Sequence, residues 1–174
     1  MPKLMEPAAV VSETTRKGGS QAELQSYDFE RSVGYWLILA ARAYQKAFDV
    51  ELAPHRLTYR QAQVLGWLVL DGELSQVELA DRMMIEPATL VGVLDRMQRD
   101  GLIHRTAARG DRRKKVIQIS ENAGKVWGNV TGCAKRIRGR ATEGLSDRQL
   151  ASFFKVARTI LSNLEAGQAG SRSK

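Results

Sequence analysis

The fold is decided by residues 74–120, LSQVELADRMMIEPATLVGVLDRMQRDGLIHRTAARGDRRKKVIQIS. Ser75 and Glu78 form a capping box that begins a short helix. After a tight break, Pro87 suits the first position of a second helix. Gly101 then supplies the left-handed residue that ends this second helix. The stretch therefore predicts two helices joined by a short turn.

A basic hairpin is predicted directly after the second helix. Strand-like runs at Ile103–Thr106 and Val116–Ile119 bracket a loop, Ala107–Lys115, with five basic residues and one acid. Residues 96–115 hold eight Lys or Arg against two acids, which is hard to explain as ordinary surface. A helix-turn-helix followed by a charged hairpin is the winged helix-turn-helix arrangement.

Further helices flank this module on both sides. Helical spacing runs through Tyr27–Ala53, and a capping box at Thr58 and Gln61 begins the next helix. Ser120 is predicted to cap a long helix to about Glu143, and a third capping box begins a last helix, Ser146–Leu164. The expected fold class is mainly α with a small β-hairpin: a winged helix-turn-helix module plus N- and C-terminal dimerisation helices.

The chain divides by composition into tails and one domain. The last helix carries an apolar face wide enough for a core shared between subunits, although a larger monomeric helical domain is the alternative. The expected divisions are a flexible tail at 1–26, a single domain at 27–165 and a flexible tail at 166–174. Within the domain, 54–120 form the winged helix-turn-helix, and 27–53 and 121–165 form the dimerisation helices.

Charge and cysteine usage narrow the classes of function. The 174 residues carry a net charge of +8, so nucleic acid is the leading partner, ahead of an anionic membrane surface or metabolite. Cys133 is the single cysteine, which excludes an intrachain disulfide and a cysteine-based zinc cluster. The longest apolar run is too short to cross a bilayer and is broken by Arg42. We expect a cytoplasmic protein with no cofactor, metal or membrane contact.

The second helix of the module has one apolar stripe, and its opposite face is the candidate DNA-reading surface. Thr89 can hydrogen-bond and touch a thymine methyl, while Arg96 and Arg99 are better placed for phosphates. Ser75 and Gln76 open the preceding helix and are predicted to hold a phosphate. Helices alone leave a merely solvated face equally plausible, and the basic hairpin favours DNA. The inward stripe is Leu90, Val93, Leu94 and Met97; the outward face is Ala88, Thr89, Gly92, Asp95, Arg96 and Arg99.

Residues 74–120 resemble the multiple-antibiotic-resistance regulator (MarR) family, and its SlyA-like members most closely. The similarity extends over roughly 30–165, and its most specific part is the wing signature, Asp111-Arg112-Arg113 with Ile119-Ser120 at the strand end. The resemblance implies a triangular homodimer that presents two winged helices to a palindromic operator. One departure is Gly92, where SlyA-like proteins often carry an arginine.

The same resemblance implies roles within the hairpin. Arg113 is expected to insert into the minor groove, where a narrow A·T tract favours arginine. Asp111 is expected to orient the wing by pairing with an arginine. Backbone contact or local pairing is expected for the remaining basic residues, Arg109, Arg112, Lys114 and Lys115.

An effector site is also implied by the resemblance. Family members often bind aromatic carboxylates, or aromatic acyl-CoA thioesters, between the dimer helices and the DNA module. Cys133 lies in the fifth helix rather than near the start of the first, which argues against thiol sensing. The fifth helix also places Gly124, Gly128 and Gly132 on one face, which indicates either close backbone approach or a weak helix. The candidate effector contacts are Trp36, Arg42, Tyr44, His55, Trp67 and Trp127.

The leading hypothesis is a homodimeric repressor released from its operator by a small anionic aromatic effector. A non-specific or architectural DNA-binding protein is the main alternative, and RNA binding lacks an aromatic stacking platform. An enzyme is the remote alternative, because the chain offers two separated histidines and no phosphate-binding glycine loop or metal-ligand spacing.

Overall fold

A computed structural model describes the backbone of residues 28–108 and 111–171, and the side chains of these residues except 111–114 and 167–171. The chain divides into two compact units, 1–39 and 40–174. The helices are α1 (Val33–Leu52), α2 (Tyr59–Asp71), α3 (Gln76–Met83), α4 (Pro87–Arg99), α5 (Ala123–Ala141) and α6 (Asp147–Ser171). Two strands, β1 (Ile103–Ala108) and β2 (Asp111–Ile119), pair antiparallel between α4 and α5. The predicted fold class, a mainly helical winged helix-turn-helix, is confirmed.

The predicted capping boxes begin their helices through reciprocal hydrogen bonds. At α3, Ser75 N donates to Glu78 Oε2 over 2.8 Å, and Glu78 N donates to Ser75 Oγ over 3.3 Å. The same exchange joins Thr58 with Gln61 at the start of α2. These bonds satisfy backbone N–H groups that a helix leaves unpaired at its N-terminus.

Ser120 does not cap α5 as predicted. It is buried directly after β2, and its hydroxyl donates to the carbonyl oxygen of Gly101 while its N–H donates to Leu102 O over 3.0 Å. The side chain therefore closes the base of the hairpin onto the end of α4. Helix α5 begins three residues later at Ala123, after Asn122, which makes no side-chain cap bond.

The apolar stripe of α4 is buried as predicted. Leu90, Leu94 and Met97 have no solvent exposure, and Val93 is nearly as enclosed. They join one core with Leu65 of α2 and residues of α3, β1, β2 and α5. Burying a side chain of this size contributes about 1.5–3 kcal/mol relative to exposing it. The stripe therefore fixes the rotation of α4 about its axis.

The hairpin is longer, and its loop shorter, than the sequence predicted. Ala107 pairs with Lys115 and Ala108 with Asp111, so most of the expected loop at 107–115 is strand. The ladder uses backbone groups, so it extends beyond the region where apolar alternation reveals it. Leu74, which precedes α3, also pairs with β2. Ile117 N donates to Leu74 O over 2.7 Å, and Leu74 N donates to Ile117 O over 3.2 Å.

Two further differences concern the helix ends and the glycines. Helix α6 continues to Ser171, beyond the predicted end near Leu164. In α5, a Cβ built on Gly124 or Gly128 would meet no other group of the described chain within 4 Å. Close backbone approach at these glycines is therefore absent within the described part of one protomer.

An ion-pair cluster joins α1 to α5. Glu51 accepts from Arg136 Nε over 2.7 Å and from Arg140 Nη1 over 3.3 Å. The buried Cys133 thiol donates to the carbonyl oxygen of Glu51 over 3.3 Å. The hydrogen bond from Arg136, with the charges of both guanidinium groups, holds the pKa of Glu51 below its ordinary value of 4.5.

Apolar side chains on α1 and α6 remain exposed in the protomer. Trp36 and Ile38 on α1 are each more than half exposed, and so are Phe153 and Leu164 on α6. Both helices therefore have uncovered apolar surface. Other exposed residues of this kind are Val33, Leu37, Leu39, Val50, Phe154, Val156 and Leu161.

We expect Glu51→Gln to change how stability depends on pH. A carboxyl whose pKa is lowered by folding stabilises the native state above its ordinary pKa and loses that contribution as the pH falls through the folded-state pKa. The stability difference between wild type and Glu51→Gln should therefore shrink as the pH drops below 4.5. Urea unfolding at several pH values and one protomer concentration measures it.

Glu143→Gln, at an exposed carboxylate after α5, is the matched control. A Glu51→Gln difference that stays constant between about pH 6 and pH 3 would contradict the assignment of this ion-pair cluster.

Candidate nucleic-acid interface

The outward face of α4 is the centre of the candidate interface. Burial of the opposite stripe leaves Ala88 and Thr89 in the first turn exposed. Gly92, Asp95, Arg96 and Arg99 continue the exposed face toward the C-terminal end. The orientation predicted for all six residues agrees with their exposure. Small side chains near the helix start permit close approach to base edges in a major groove.

Arg96 lies against the open side of Gly92. Its Nη1 atom is 4.0 Å from the position that a Cβ on Gly92 would occupy. Side chains on a helix lean toward its N-terminus and cover the preceding turn. The guanidinium group therefore lies about one turn nearer the N-terminal end of α4 than the Arg96 backbone.

An ion pair joins α4 to the hairpin. Arg105 of β1 contacts Asp95 Oδ1 through Nη1 over 2.7 Å, and the same nitrogen donates to Gln98 Oε1 over 3.0 Å. With Arg99, these residues line an open depression between helix and strand. The pair holds α4 and the hairpin in one relative position.

Sequence reasoning counted Arg105 among the basic residues but assigned it no role. The bond joins residues ten positions apart on different elements, so local spacing does not reveal it. The sequence carried one signal for this bond. Asp95 is the single acid on a helix face that is otherwise neutral or basic, which favours a cation nearby.

The residues at the start of α3 are engaged within the protomer. Ser75 is occupied by its capping box, and Gln76 Nε2 donates to Pro87 O over 2.9 Å. The Gln76 bond joins the start of α3 to the start of α4. Contact of Ser75 and Gln76 with phosphate stays a prediction.

Most wing side chains lie outside the described part of the molecule. Arg109 falls in the undescribed gap, and the description of Asp111, Arg112, Arg113 and Lys114 is limited to their backbone in β2. Lys115 is exposed. The expected roles of these six residues stay predictions.

Comparison with known proteins shows which family the chain resembles. A sequence model of the MarR family matches residues 56–114, from just before α2 into β2. The HTH-type transcriptional repressor NicR of Pseudomonas putida is 25% identical over 158 residues, which cover 90% of this chain and 100% of NicR. Over residues 56–114 the chain is therefore similar to the MarR family.

Solved structures of MarR-family regulators share the fold of this chain. CouR from Rhodococcus jostii RHA1, bound to p-coumaroyl-CoA, aligns with a TM-score of 0.69 and 25% identity over 78% of this chain and 95% of CouR. A MarR mutant from E. coli complexed with operator DNA gives a TM-score of 0.69 over 74% of this chain and 93% of that one. At 17% identity, the second likeness shows the fold alone.

The candidate effector residues of this chain lie on several elements. Trp67 and Trp127 are partly buried against the core, and the ring of Trp127 lies over Gly66. Tyr44 and His55 are exposed, and the ring of Tyr44 lies against that of Phe48 at an angle of 54°. None of these four residues lines the depression beside α4 or the one along α1.

The other two effector candidates lie on α1. Arg42 is exposed and lines a shallow depression along the helix with Gln45, Lys46, Asp49, Val50 and Ala53. Trp36 is exposed in the N-terminal unit, and its Nε1 donates to Glu30 O over 2.7 Å. An effector role for any of the six stays a prediction.

The described residues include no helix that is long and apolar enough to span a membrane. They also contain no cluster of three His, Cys, Asp or Glu side chains arranged to hold a metal ion.

We expect Asp95→Asn to loosen the hairpin without unfolding the core. The pair is partly exposed, with Asp95 52% accessible, so its loss should cost about 1 kcal/mol of global stability or less. Release of Arg105 should nevertheless raise the rate of tryptic cleavage in 109–115, measured by mass spectrometry.

Asp71→Asn is the matched control, because it breaks the 2.7 Å pair with Arg82 between α2 and α3. Equal cleavage of the hairpin in both variants would contradict a specific anchoring role for Asp95.

Proposed function

We propose that this chain is a cytoplasmic, homodimeric, sequence-specific DNA-binding repressor that a small anionic aromatic effector releases from a palindromic operator. The observation that carries the proposal is the Asp95–Arg105 ion pair, which holds the exposed face of α4 beside the basic hairpin. A helix for the major groove and a basic hairpin for the adjacent backbone and minor groove are the two parts that a winged helix needs. The repressor role is supported by the name of NicR, which aligns over nearly the whole chain.

Helix α4 and the basic hairpin contact different parts of the DNA. The exposed start of α4 faces base edges in the major groove, with Thr89 as a direct contact. Arg113 enters the minor groove, and Asp111 orients the wing. The remaining basic residues of the hairpin neutralise phosphates, and Ser75 and Gln76 at the start of α3 hydrogen-bond to a phosphate.

The second copy of the chain covers the apolar surfaces of the terminal helices. Helix α6 presents Phe153, Phe154, Leu161 and Leu164, each about half exposed or more, which is costly for a helix in water. Exposed apolar residues on α1 supply further area. A two-fold dimer places two winged helices about 34 Å apart, which matches half-sites one DNA turn apart.

The effector is an aromatic carboxylate or an aromatic acyl-CoA. CouR, a structural neighbour at 25% identity, is described as bound to p-coumaroyl-CoA. In this chain Arg42 and Lys46, one turn apart on α1, supply positive charge in one depression, and the aromatic candidates include Tyr44 and Trp127. A thermal-shift screen with aromatic acids and their CoA esters tests this part, and the absence of any stabilising compound would contradict it.

Selection from a random-sequence DNA duplex pool tests the DNA-binding function. A dimeric regulator should enrich one short inverted repeat and protect only that site. Retention of all sequences alike would instead favour the architectural alternative. Affinity for the enriched duplex should fall with salt at a log–log slope of about −0.9 per phosphate contact.

Arg113→Ala is expected to weaken binding to the enriched duplex while the dimer remains folded. Loss of a minor-groove arginine removes a positive charge near the phosphates and a contact that depends on the width of the groove. A mobility-shift titration at matched salt measures the change, with Arg148→Ala on α6 as the charge-matched control. Unchanged affinity of Arg113→Ala would exclude this role for the wing residue.

Phe154→Asp is expected to dissociate the dimer, because a carboxylate would be buried without a partner in an apolar interface. Sedimentation should give the mass of one chain for this variant and of two chains for wild type. Lys155→Asp, on another side of α6, should remain dimeric. A dimer that survives Phe154→Asp would show that this face of α6 is not the interface.

A further inference from the structure

The position of Arg96 points to a role different from the one its sequence position suggests. Its place in the last turn of α4 favours phosphate contact. In the structure, however, the guanidinium group lies back along the helix beside Gly92. The functional end of this side chain is therefore one turn nearer the part of α4 that faces base edges.

Gly92 makes this placement available. A glycine leaves the helix surface bare, so the Arg96 side chain can lie along it. A methyl group on Gly92 would meet Nη1 at 4.0 Å, an ordinary van der Waals distance, so alanine is compatible with the arrangement. A longer side chain would occupy the space that the guanidinium uses.

The electrostatics of α4 leave Arg96 available for an external partner. Asp95, the adjacent acid, is engaged by Arg105 over 2.7 Å. Among the residues that the structure describes, Arg96 makes no ion pair. Its guanidinium is exposed on the same face as Thr89.

We propose that Arg96, lying over Gly92, is a specificity-determining residue that reads a guanine in the major groove of each half-site. This inference rests on the proposed DNA-binding function. A guanidinium group donates two parallel hydrogen bonds to guanine O6 and N7, a contact that lysine does not reproduce in the same bidentate geometry. Gly92 leaves the helix surface open, and the Arg96 guanidinium occupies the place from which a side chain at position 92 would otherwise contact the base.

Selection from a random duplex pool, followed by titration of single-base variants of the wild-type duplex, tests the proposal. Arg96→Ala should lose preference at one G·C pair in each half-site by about 10- to 100-fold. Arg96→Lys should keep most of the salt-dependent affinity and lose much of that preference. Arg99→Ala, three residues further along, should weaken all duplexes by a similar factor.

Two variants of Gly92 test the pairing itself. Gly92→Ala should retain the preference, and Gly92→Leu should lose it although Arg96 is intact. Circular dichroism and sedimentation establish that each variant is folded and dimeric. Both positions are exposed, so the core packing does not depend on either side chain.

The outcomes separate this inference from the proposed function. If wild type enriches a repeat and Arg96→Ala weakens every single-base variant equally, Arg96 is a phosphate contact and the inference fails while the function stands. Retention of the preference in Gly92→Leu would overturn the role of Gly92. If wild type enriches no sequence, the proposed function fails and the inference fails with it.

Discussion

Burial of one side of α4 is the constraint on which the rest of the structure depends. Leu90, Leu94 and Met97 are fully enclosed, so the helix has one rotational position in which its apolar stripe is covered. That position leaves the opposite side, with Thr89 and Gly92, exposed. The candidate DNA surface is thus a consequence of the core, and a rotation of α4 would expose apolar area at about 25 cal/mol per Å².

The hairpin is attached to this core at its base. Backbone bonds from Leu74 to Ile117 and from Ser120 to Leu102 secure one end of the strand pair. Further along β1, Arg105 contacts Asp95 on α4. The base therefore has fixed backbone and side-chain partners, and the basic segment lies at the other end of the strand pair.

Local sequence signals predicted the parts of the fold that depend on local physics. Capping boxes at Thr58 and Ser75 involve residues three apart, and the α4 stripe repeats with the period of the helix, so both are readable without tertiary information. The role of Ser120 was predicted wrongly, because its hydroxyl bonds with Gly101, nineteen residues earlier, rather than with the helix that follows it. Only the folded hairpin brings these two residues together.

For the candidate site, as for the fold, the sequence predicted the features that depend on local spacing. The outward face of α4 follows from periodicity, whereas the Asp95–Arg105 bond and the position of Arg96 over Gly92 depend on side-chain placement in three dimensions. The candidate effector residues lie on several elements, and composition alone does not specify which of them share a cavity. Similarly, the extent of the hairpin escaped detection because its backbone pairing continues where no core imposes alternation.

The connection between β2 and α5 has a mechanical consequence. Ser120, Glu121 and Asn122 are the whole link, and Ala123 N is bonded back to Ser120 O over 3.0 Å. Three residues with a hydrogen bond across them allow α5 little movement relative to β2. Ser120 is also hydrogen-bonded to the end of α4, so one residue joins α4, β2 and the start of α5. Because the connection is this short, α5 and the hairpin have little freedom to move independently of each other.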